Sequence, residues 1–261
     1  MEMTTLLVHV DDGIMHIRLN RPEVFNACNN VMTTELQKAF SEAGTDERVR
    51  CVVLSGSGRA FCSGQDLKEA PGSEGQGTLR DALETRYNPI IRAMTSLPKP
   101  IIASINGVAA GAGLSLALAA DIRIMSSAAK LVEAFAAIAL VPDSGATFFY
   151  TRMLGYAQAF EFATRNGQFT AEQALKLGMV NMVVSPDVLD AAVLSLAKEY
   201  AAGPTTSYGY IKTLLRTAQT ATLDEMLDHE REYQQSAGET QDYAEGVRAF
   251  QEKRKPAFSG R

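Results

Sequence analysis

The central stretch of the chain, residues 101–126, has the residue types and spacing of an anion-holding turn. It reads IIASINGVAAGAGLSLALAADIRIMS. Its apolar start predicts a buried strand, small residues then form a turn, and 114–119 predicts a buried helix. A strand, a tight turn and the start of a helix direct free backbone N–H groups and the positive end of a helix dipole to one point. Such a point can hold a bound phosphate or an oxyanion that forms during a reaction.

The phosphate-binding patterns fit this stretch poorly. The P-loop sequence G-x-x-x-x-G-K-[S/T] is absent from it, and so is the G-x-G-x-x-G of a dinucleotide-binding turn. The stretch also lies deep in the chain rather than in a first βαβ unit. An oxyanion site is therefore the functional hypothesis that remains, and close packing of small residues against a sheet is its structural alternative.

Two further segments carry residues that could belong to such a site. The stretch 55–67, SGSGRAFCSGQDL, is a second glycine-rich turn, and its apolar centre predicts that it folds inward. The following stretch 71–77, PGSEGQG, has the composition of a mobile loop. Asp143 lies in the sequence VPDSGA, where a carboxylate could act as an acid or base. Proline, aspartate, serine and glycine also form ordinary turns, so the pattern alone leaves both interpretations open.

Strands and helices alternate up to about residue 184 and must position these turns. The predicted strands are 6–10, 14–19, 49–54, 101–105, 122–125 and 179–184. The predicted helices of this part are 30–40, 79–97, 114–119, 146–153 and 156–165. A further helix begins at the capping box Thr170–Gln173 and ends at Gly178. Pro89 could kink the second of these helices. From 186 to 250 the pattern is helical only, which predicts a layered α/β core with a helical tail.

Composition excludes several classes of protein. The chain has 261 residues, of which 46% are hydrophobic and 21% charged, which predicts one large globular domain or a domain with an appendage. A net charge of −5 favours neither nucleic acid nor an anionic membrane as a partner. The three cysteines lack C-x-x-C spacing, so we expect free thiols and no metal site. With no signal-peptide pattern and no membrane-spanning run, the predicted location is cytoplasmic.

Several motifs, in family order, resemble the enoyl-CoA hydratase/isomerase (crotonase) superfamily. They are LNRP at 19–22 with Asn26-Ala27, GRAFCSGQDL at 58–67, the stretch 99–121, LVP at 140–142 with Gly145, the stretch 171–180, and the tail 250–258. The resemblance covers nearly the whole chain. It implies a spiral of repeated ββα units over residues 1–200 and a C-terminal helical region, 201–261, that builds homotrimers or hexamers.

The resemblance also implies a substrate and a site. The substrate is an acyl-CoA thioester whose carbonyl oxygen lies between two backbone N–H groups, here those of Gln65 and Ala112. This is the oxyanion site proposed above. Coenzyme A is part of the substrate, and the family implies no other cofactor and no metal. The positions that the family uses around coenzyme A are Val24, Ala27, Ser63, Asp66, Leu67, Gly111, Lys255 and Phe258.

Residue types at the reacting positions favour isomerisation over hydration. Hydratases of the family use two glutamates, and their positions are Ser115 and Ala134 here. Glu133 is adjacent, but a shift of one residue in a strand turns the side chain to the opposite face. Asp143, directly after Pro142, resembles the lone carboxylate of the isomerase branch, which includes Δ3,Δ2-enoyl-CoA isomerases and the ring-epoxide isomerase of phenylacetate breakdown. We expect Asp143 to move a proton between C2 and C4 of an enoyl-CoA.

Three other functions remain open for the sequence. One is an enoyl-CoA hydratase that works with Asp143 alone, and another is a non-catalytic acyl-CoA-binding member of the family. Hydrolytic aryl-CoA dehalogenases also have an aspartate after this turn, together with a histidine base and a nearby tryptophan. This chain has no tryptophan, and it has no histidine between residues 17 and 228, so the dehalogenase hypothesis is disfavoured.

Overall fold

The structure of this chain is a computed structural model, and it describes residues 3–69 and 77–261. The strands are β1 Leu6–Asp11, β2 Ile14–Leu19, β3 Cys51–Gly56, β4 Ala60–Cys62, β5 Ile101–Ile105, β6 Val108–Ala110, β7 Ile122–Ser126, β8 Lys130–Val132, β9 Gln168–Thr170 and β10 Met182–Val184. The helices are α1 Asn30–Thr45, α2 Leu79–Ala82, α3 Asn88–Ser96, α4 Ala112–Ala119, α5 Ala146–Leu154, α6 Tyr156–Thr164, α7 Ala171–Lys176, α8 Leu189–Ala201, α9 Thr205–Thr217, α10 Leu223–Gly238 and α11 Gln241–Glu252. Apart from Gly77, the stretch predicted to be mobile lies outside the described residues.

The strands form two sheets, and from β3 to β8 successive strands alternate between them. The larger sheet has the order β1-β2-β3-β5-β7-β10, with β1 antiparallel to β2 and the other neighbours parallel. The smaller sheet has the order β4-β6-β8-β9. The pairs β3–β4, β5–β6 and β7–β8 each place their first strand in the larger sheet and their second in the smaller one, and a helix follows each pair. This repeat confirms the predicted α/β spiral of ββα units.

Helix α4 lies inside this spiral, and each of its residues is buried. Its start packs directly against the end of β4, because a Cβ atom on Gly113 would lie only 2.2 Å from the Cys62 carbonyl oxygen. Glycine is therefore required at this contact. The small residues of this stretch therefore do pack closely, as the structural alternative in the sequence analysis predicted. The same packing brings the start of α4 to the turn that follows β4.

The helix predicted over 79–97 is interrupted, and the interruption comes before Pro89 rather than at it. A π-helical turn, Leu83–Tyr87, separates α2 from α3. Proline has no N–H to donate to the carbonyl oxygen four residues earlier, that of Thr85. The side-chain amide of Gln37 on α1 donates to the carbonyl oxygens of Thr85 and Arg86, both at 3.0 Å, and so replaces the missing helical bond.

Other element boundaries differ from the prediction by a few residues. Helix α1 continues to Thr45, five residues beyond the predicted end. The strand predicted at 49–54 is β3, Cys51–Gly56, and the strand predicted at 179–184 is the shorter β10. The predicted hairpin β1–β2 and the Thr170–Gln173 capping box are confirmed.

The C-terminal region is helical, as predicted, and its first helix belongs to the core. Helix α8 packs on the larger sheet through Leu189 and Val193. Helices α9 to α11 leave large apolar side chains exposed, among them Leu215, Leu223 and Phe250. The division at residue 200 and the trimer-forming role of residues 201–261 stay predictions. In the described part of the chain, no helix combines the length and the apolar character that crossing a membrane requires.

Candidate active site

Two glycines with positive φ shape the turns that sequence analysis singled out. Gly64 has a φ of +97° and Gly111 a φ of +51°, a region that residues with a Cβ rarely adopt. The Gly64 carbonyl accepts the Cys28 N–H at 2.7 Å, and Asp66 donates its N–H to the Cys28 carbonyl at 2.9 Å. These two bonds hold Gln65 between them with its own N–H directed away from Cys28.

The second turn ends in the first residue of α4, Ala112. Its N–H is one of those at a helix start that have no partner within the helix. A Cβ atom on Gly64 would lie 3.4 Å from the Ala112 nitrogen, so the two turns face each other closely. Neither the N–H of Gln65 nor that of Ala112 donates to an acceptor within the described residues. Two free N–H groups this close together can stabilise a negatively charged oxygen.

A cavity of about 570 Å³ opens at these two N–H groups. It is lined by Ser63, Gly64, Gln65, Leu67, Leu79, Ala82, Leu83, Tyr87, Gly111, Ala112, Ala134, Phe135, Ile138, Leu140, Val141 and Asp143. Most of these residues are apolar, and Asp143 is the only carboxylate among them. The cavity therefore offers an apolar space with two hydrogen-bond donors and one acid–base group.

Asp143 is held from three sides. Ser144 donates its hydroxyl to Asp143 Oδ1 at 2.8 Å, Ser115 on α4 donates to the Asp143 carbonyl oxygen at 3.1 Å, and the Ala146 N–H donates to the same carbonyl at 2.9 Å. Burial raises the pKa of the Asp143 carboxyl, and the hydrogen bond from Ser144 opposes this rise. A carboxylate with a raised pKa is a stronger base than a solvated one.

The two positions at which hydratases of the family have glutamates contain no acid here, as predicted. Ser115 is fully buried and serves to hold the backbone of Asp143. Ala134 lines the cavity with its methyl group. Glu133 is 1% exposed and is not among the cavity-lining residues, which agrees with the predicted opposite face.

Tyr87 is a residue of this cavity that sequence analysis missed. Its hydroxyl donates to the side-chain Oε1 of Gln65, and the residue is 4% exposed. Burial raises the pKa of the Tyr87 phenol. The signal that could have identified Tyr87 is the proline two residues later, because Pro89 accompanies the π-helical turn that ends at Tyr87.

The residues predicted to surround coenzyme A fall into two groups near the cavity and one distant group. Ser63, Leu67 and Gly111 line the cavity. Val24, Ala27 and Asp66 lie beside the 63–67 turn without lining the cavity: the Ser63 hydroxyl donates to the Val24 carbonyl at 3.4 Å, and Arg21 binds both the Ala27 carbonyl, at 2.7 Å, and the Asp66 carboxylate, at 2.9 Å.

Lys255 and Phe258 form the distant group. Phe258 lies against Gly246 of α11, and its carbonyl oxygen accepts a hydrogen bond from Arg50 at 2.9 Å. Neither Lys255 nor Phe258 is among the residues that line the cavity. One chain therefore does not bring these two residues to the other predicted site residues, and their role stays a prediction.

Comparison with known proteins decides the family. The family described as Enoyl-CoA hydratase/isomerase matches residues 9–261 of the chain. The chain belongs to this family. A 1,2-epoxyphenylacetyl-CoA isomerase from Escherichia coli K12 is 43% identical, over 99% of this chain and 100% of that protein. A probable enoyl-CoA hydratase from Rhodobacter capsulatus is 39% identical, over 100% of both.

Solved structures of the family share the fold. A putative enoyl-CoA hydratase/isomerase from Mycobacterium abscessus has a TM-score of 0.92 and 36% sequence identity, covering 98% of this chain and 100% of that one. Members of the family with near-complete coverage thus include proteins named as isomerases and proteins named as hydratases. The choice between the two reactions has to come from the residues of the cavity.

Proposed function

We propose that this protein is an acyl-CoA isomerase that moves a double bond of an enoyl-CoA thioester. The observation that carries the proposal is Asp143, the single carboxylate among the described residues that line the cavity, in the same apolar space as two free N–H groups. Moving a double bond needs one group that removes a proton and returns it at another carbon. Adding water needs a second group to activate the water molecule, and the positions for it contain Ser115 and Ala134.

The proposed reaction is a proton transfer through a dienolate. Ionised Asp143 removes a proton from C2 of a 3-enoyl-CoA, and the electron pair of the broken C–H bond moves onto the thioester oxygen. The N–H groups of Gln65 and Ala112 stabilise this negative charge, an effect worth about 10²–10³ in rate for each donor. Neutral Asp143 then returns the proton to C4, which leaves the double bond between C2 and C3.

The proposal assigns the remaining predicted residues to binding. Ser63, Leu67 and Gly111, with Val24, Ala27 and Asp66 beside them, lie along the path for the coenzyme A portion of the substrate. Lys255 and Phe258 would reach that portion from the C-terminal region, which we propose to build a homotrimer or hexamer. Proton transfer of this kind uses no cofactor beyond the coenzyme A of the substrate.

Names of relatives support two neighbouring possibilities. The Escherichia coli relative is named as an isomerase of an epoxyphenylacetyl-CoA, which favours isomerisation and suggests a ring epoxide as a second substrate class to test. The Rhodobacter capsulatus relative is named as a probable hydratase, so enoyl-CoA hydration is the alternative function. A non-catalytic acyl-CoA-binding role is the further alternative.

The test is a pair of assays with the purified protein and its Asp143→Asn variant. With 3-enoyl-CoA, we expect wild type to form the conjugated 2-enoyl thioester, measured as a rise in ultraviolet absorbance. The Asn variant should lose about 10²–10⁴ of this rate, the usual contribution of a general acid–base group. With 2-enoyl-CoA, loss of the conjugated absorbance by water addition would contradict isomerase function and favour the hydratase alternative. Binding of CoA thioesters without reaction of enoyl or epoxide substrates would favour the binding role.

A further inference from the structure

Glu133 is a buried acid directly behind the wall of the cavity. It follows β8 and precedes the two lining residues Ala134 and Phe135. Its side-chain Oε1 accepts the Phe135 N–H at 3.3 Å, and its own N–H donates to the Gly167 carbonyl at 2.8 Å. Its other carboxyl oxygen, Oε2, is buried and has no hydrogen-bond partner among the described residues.

The described surroundings of Glu133 contain no compensating positive charge. Tyr150, on α5, is also 1% exposed, and its hydroxyl likewise has no partner in the described part of the chain. The charge of Glu133 contributes to raising the pKa of Tyr150, and the charge of Asp143 contributes to raising that of Glu133. Burial is the largest cause for both groups. For Glu133 the hydrogen bond from the Phe135 N–H opposes the effect of burial, and the pKa is nevertheless raised to about 7. No basic side chain of residues 3–69 or 77–261 acts on Glu133.

We propose that Glu133 is a positioning residue for Asp143 and that it acts in its neutral form. The uncharged carboxyl holds the Phe135 N–H, at the start of the cavity wall 134–143, and Asp143 lies at the end of that wall. The neutral carboxyl also leaves Asp143 as the one charged group among the described residues of the cavity and its wall. The inference rests on the proposed function, because it assigns Glu133 a role in presenting the proposed base.

The reason for the neutral form is the cost of a second buried charge. An ionised carboxylate in an apolar setting is stable only with a counter-charge or several hydrogen bonds. Among the described residues, ionised Glu133 would have one hydrogen bond, from the Phe135 N–H, and no counter-charge, and it would repel ionised Asp143. The wall would then have to move to hydrate Glu133, and the movement would displace Asp143 from its place opposite Gln65 and Ala112.

The first test is the pH dependence of kcat/KM for 3-enoyl-CoA isomerisation. In wild type, we expect activity at pH 8.5 to be about tenfold below that at pH 6.5, because Glu133 ionises between them. In Glu133→Gln, which keeps the shape and stays neutral, the two rates should agree within about twofold. Glu172→Gln, at an exposed glutamate of α7, is the matched control and should keep the wild-type profile. Coincident profiles for wild type and Glu133→Gln would overturn the proposal.

The second test uses thermal unfolding and needs no substrate. Consider a carboxyl whose pKa is higher in the folded protein than in the unfolded chain. The fold is most stable at a pH below the pKa of the unfolded chain, and this stability is lost as the pH rises to the pKa of the folded protein. The wild-type Tm should therefore fall between pH 5 and pH 8 relative to that of Glu133→Gln, and a constant difference would overturn the proposal. If Glu133→Gln does not fold, Glu133→Met, of similar length and also uncharged, replaces it in both tests. Because Met has no oxygen to accept the Phe135 N–H, only the pH dependence of its rate and of its Tm is then compared, not their absolute level. An inactive wild type with this Tm behaviour would contradict the proposed function while retaining neutral Glu133.

Discussion

Gly64 and Ala112 face each other so closely that a methyl group at position 64 would lie 3.4 Å from the Ala112 nitrogen and 2.9 Å from the Ala110 carbonyl oxygen. The N–H of Ala112 and that of Gln65, the residue after Gly64, are the two proposed donors to the oxyanion. We expect Gly64→Ala to displace the Gln65 N–H and to lower kcat about 10²–10³-fold, the effect of losing one oxyanion donor. Steady-state assays with 3-enoyl-CoA measure this loss.

The control for this variant is Gly178→Ala. Gly178 also has a positive φ, of +72°, but a Cβ there would meet no atom within 4 Å. The control therefore has the backbone strain of a positive φ without the steric contact at the site. If both variants lost activity to the same degree, strain alone would explain the loss, and the steric argument for Gly64 would be wrong.

The hydrogen bond from Ser144 to Asp143 predicts a shift of the acid limb of the pH profile. The Ser144 hydroxyl stabilises the ionised carboxylate and so lowers the pKa of Asp143. Ser144→Ala removes this bond and leaves burial unopposed, so the pKa of Asp143 should rise. The reaction starts from ionised Asp143, and the acid limb of kcat/KM should therefore move to higher pH. A profile that moves to lower pH, or an unchanged profile, would contradict Asp143 as the base.

Tyr87 should influence turnover through the side chain of Gln65. Tyr87→Phe removes the hydroxyl that donates to Gln65 Oε1 and leaves the ring in place. A hydrogen bond of this kind is worth about 0.5–1.5 kcal/mol, so we expect kcat to fall about two- to tenfold. Tyr243→Phe, at an exposed ring of α11, is the control and should change nothing. Wild-type kcat in Tyr87→Phe would show that the position of Gln65 does not depend on this bond.

The parts of the site that the sequence predicted are those encoded within a few neighbouring residues. The pattern of strand, small-residue turn and buried helix at 101–119 is local, and the structure has it as β5, β6 and α4. The inward fold of 60–62 followed from three apolar residues in a polar turn. Asp143 stood out because a proline precedes it and because the family uses a lone carboxylate there.

The parts that the sequence did not predict depend on contacts between distant segments. Tyr87 faces the cavity because of a π-helical turn whose free carbonyls are bound by Gln37, about 50 residues earlier. Glu133 is buried, without a counter-charge among its described neighbours, because α5 and the segment at Gly167 pack against it. No short sequence pattern encodes which groups meet there.

The ion pair between Arg21 and Asp66 is a further contact of this kind, and it predicts a loss of stability. The Arg21 Nη1 lies 2.9 Å from Asp66 Oδ2, with side-chain exposures of 17% and 9%, and the same Nη1 binds the Ala27 carbonyl at 2.7 Å. Asp66→Asn leaves Arg21 charged and largely buried without its partner. Breaking a buried pair in this way costs about 3 kcal/mol, which chemical denaturation should detect.

The exposed pair Arg231–Asp228 on α10 is the matched control for this stability measurement. Its side chains are 68% and 70% exposed, so water solvates each charge when the other is removed. Asp228→Asn should therefore leave the denaturation midpoint unchanged. Asp66→Asn should in addition weaken binding of CoA thioesters, because Arg21 ties the 21–27 segment to the turn that carries Gln65. Equal midpoints for the two variants would show that the Arg21–Asp66 pair does not hold these segments together.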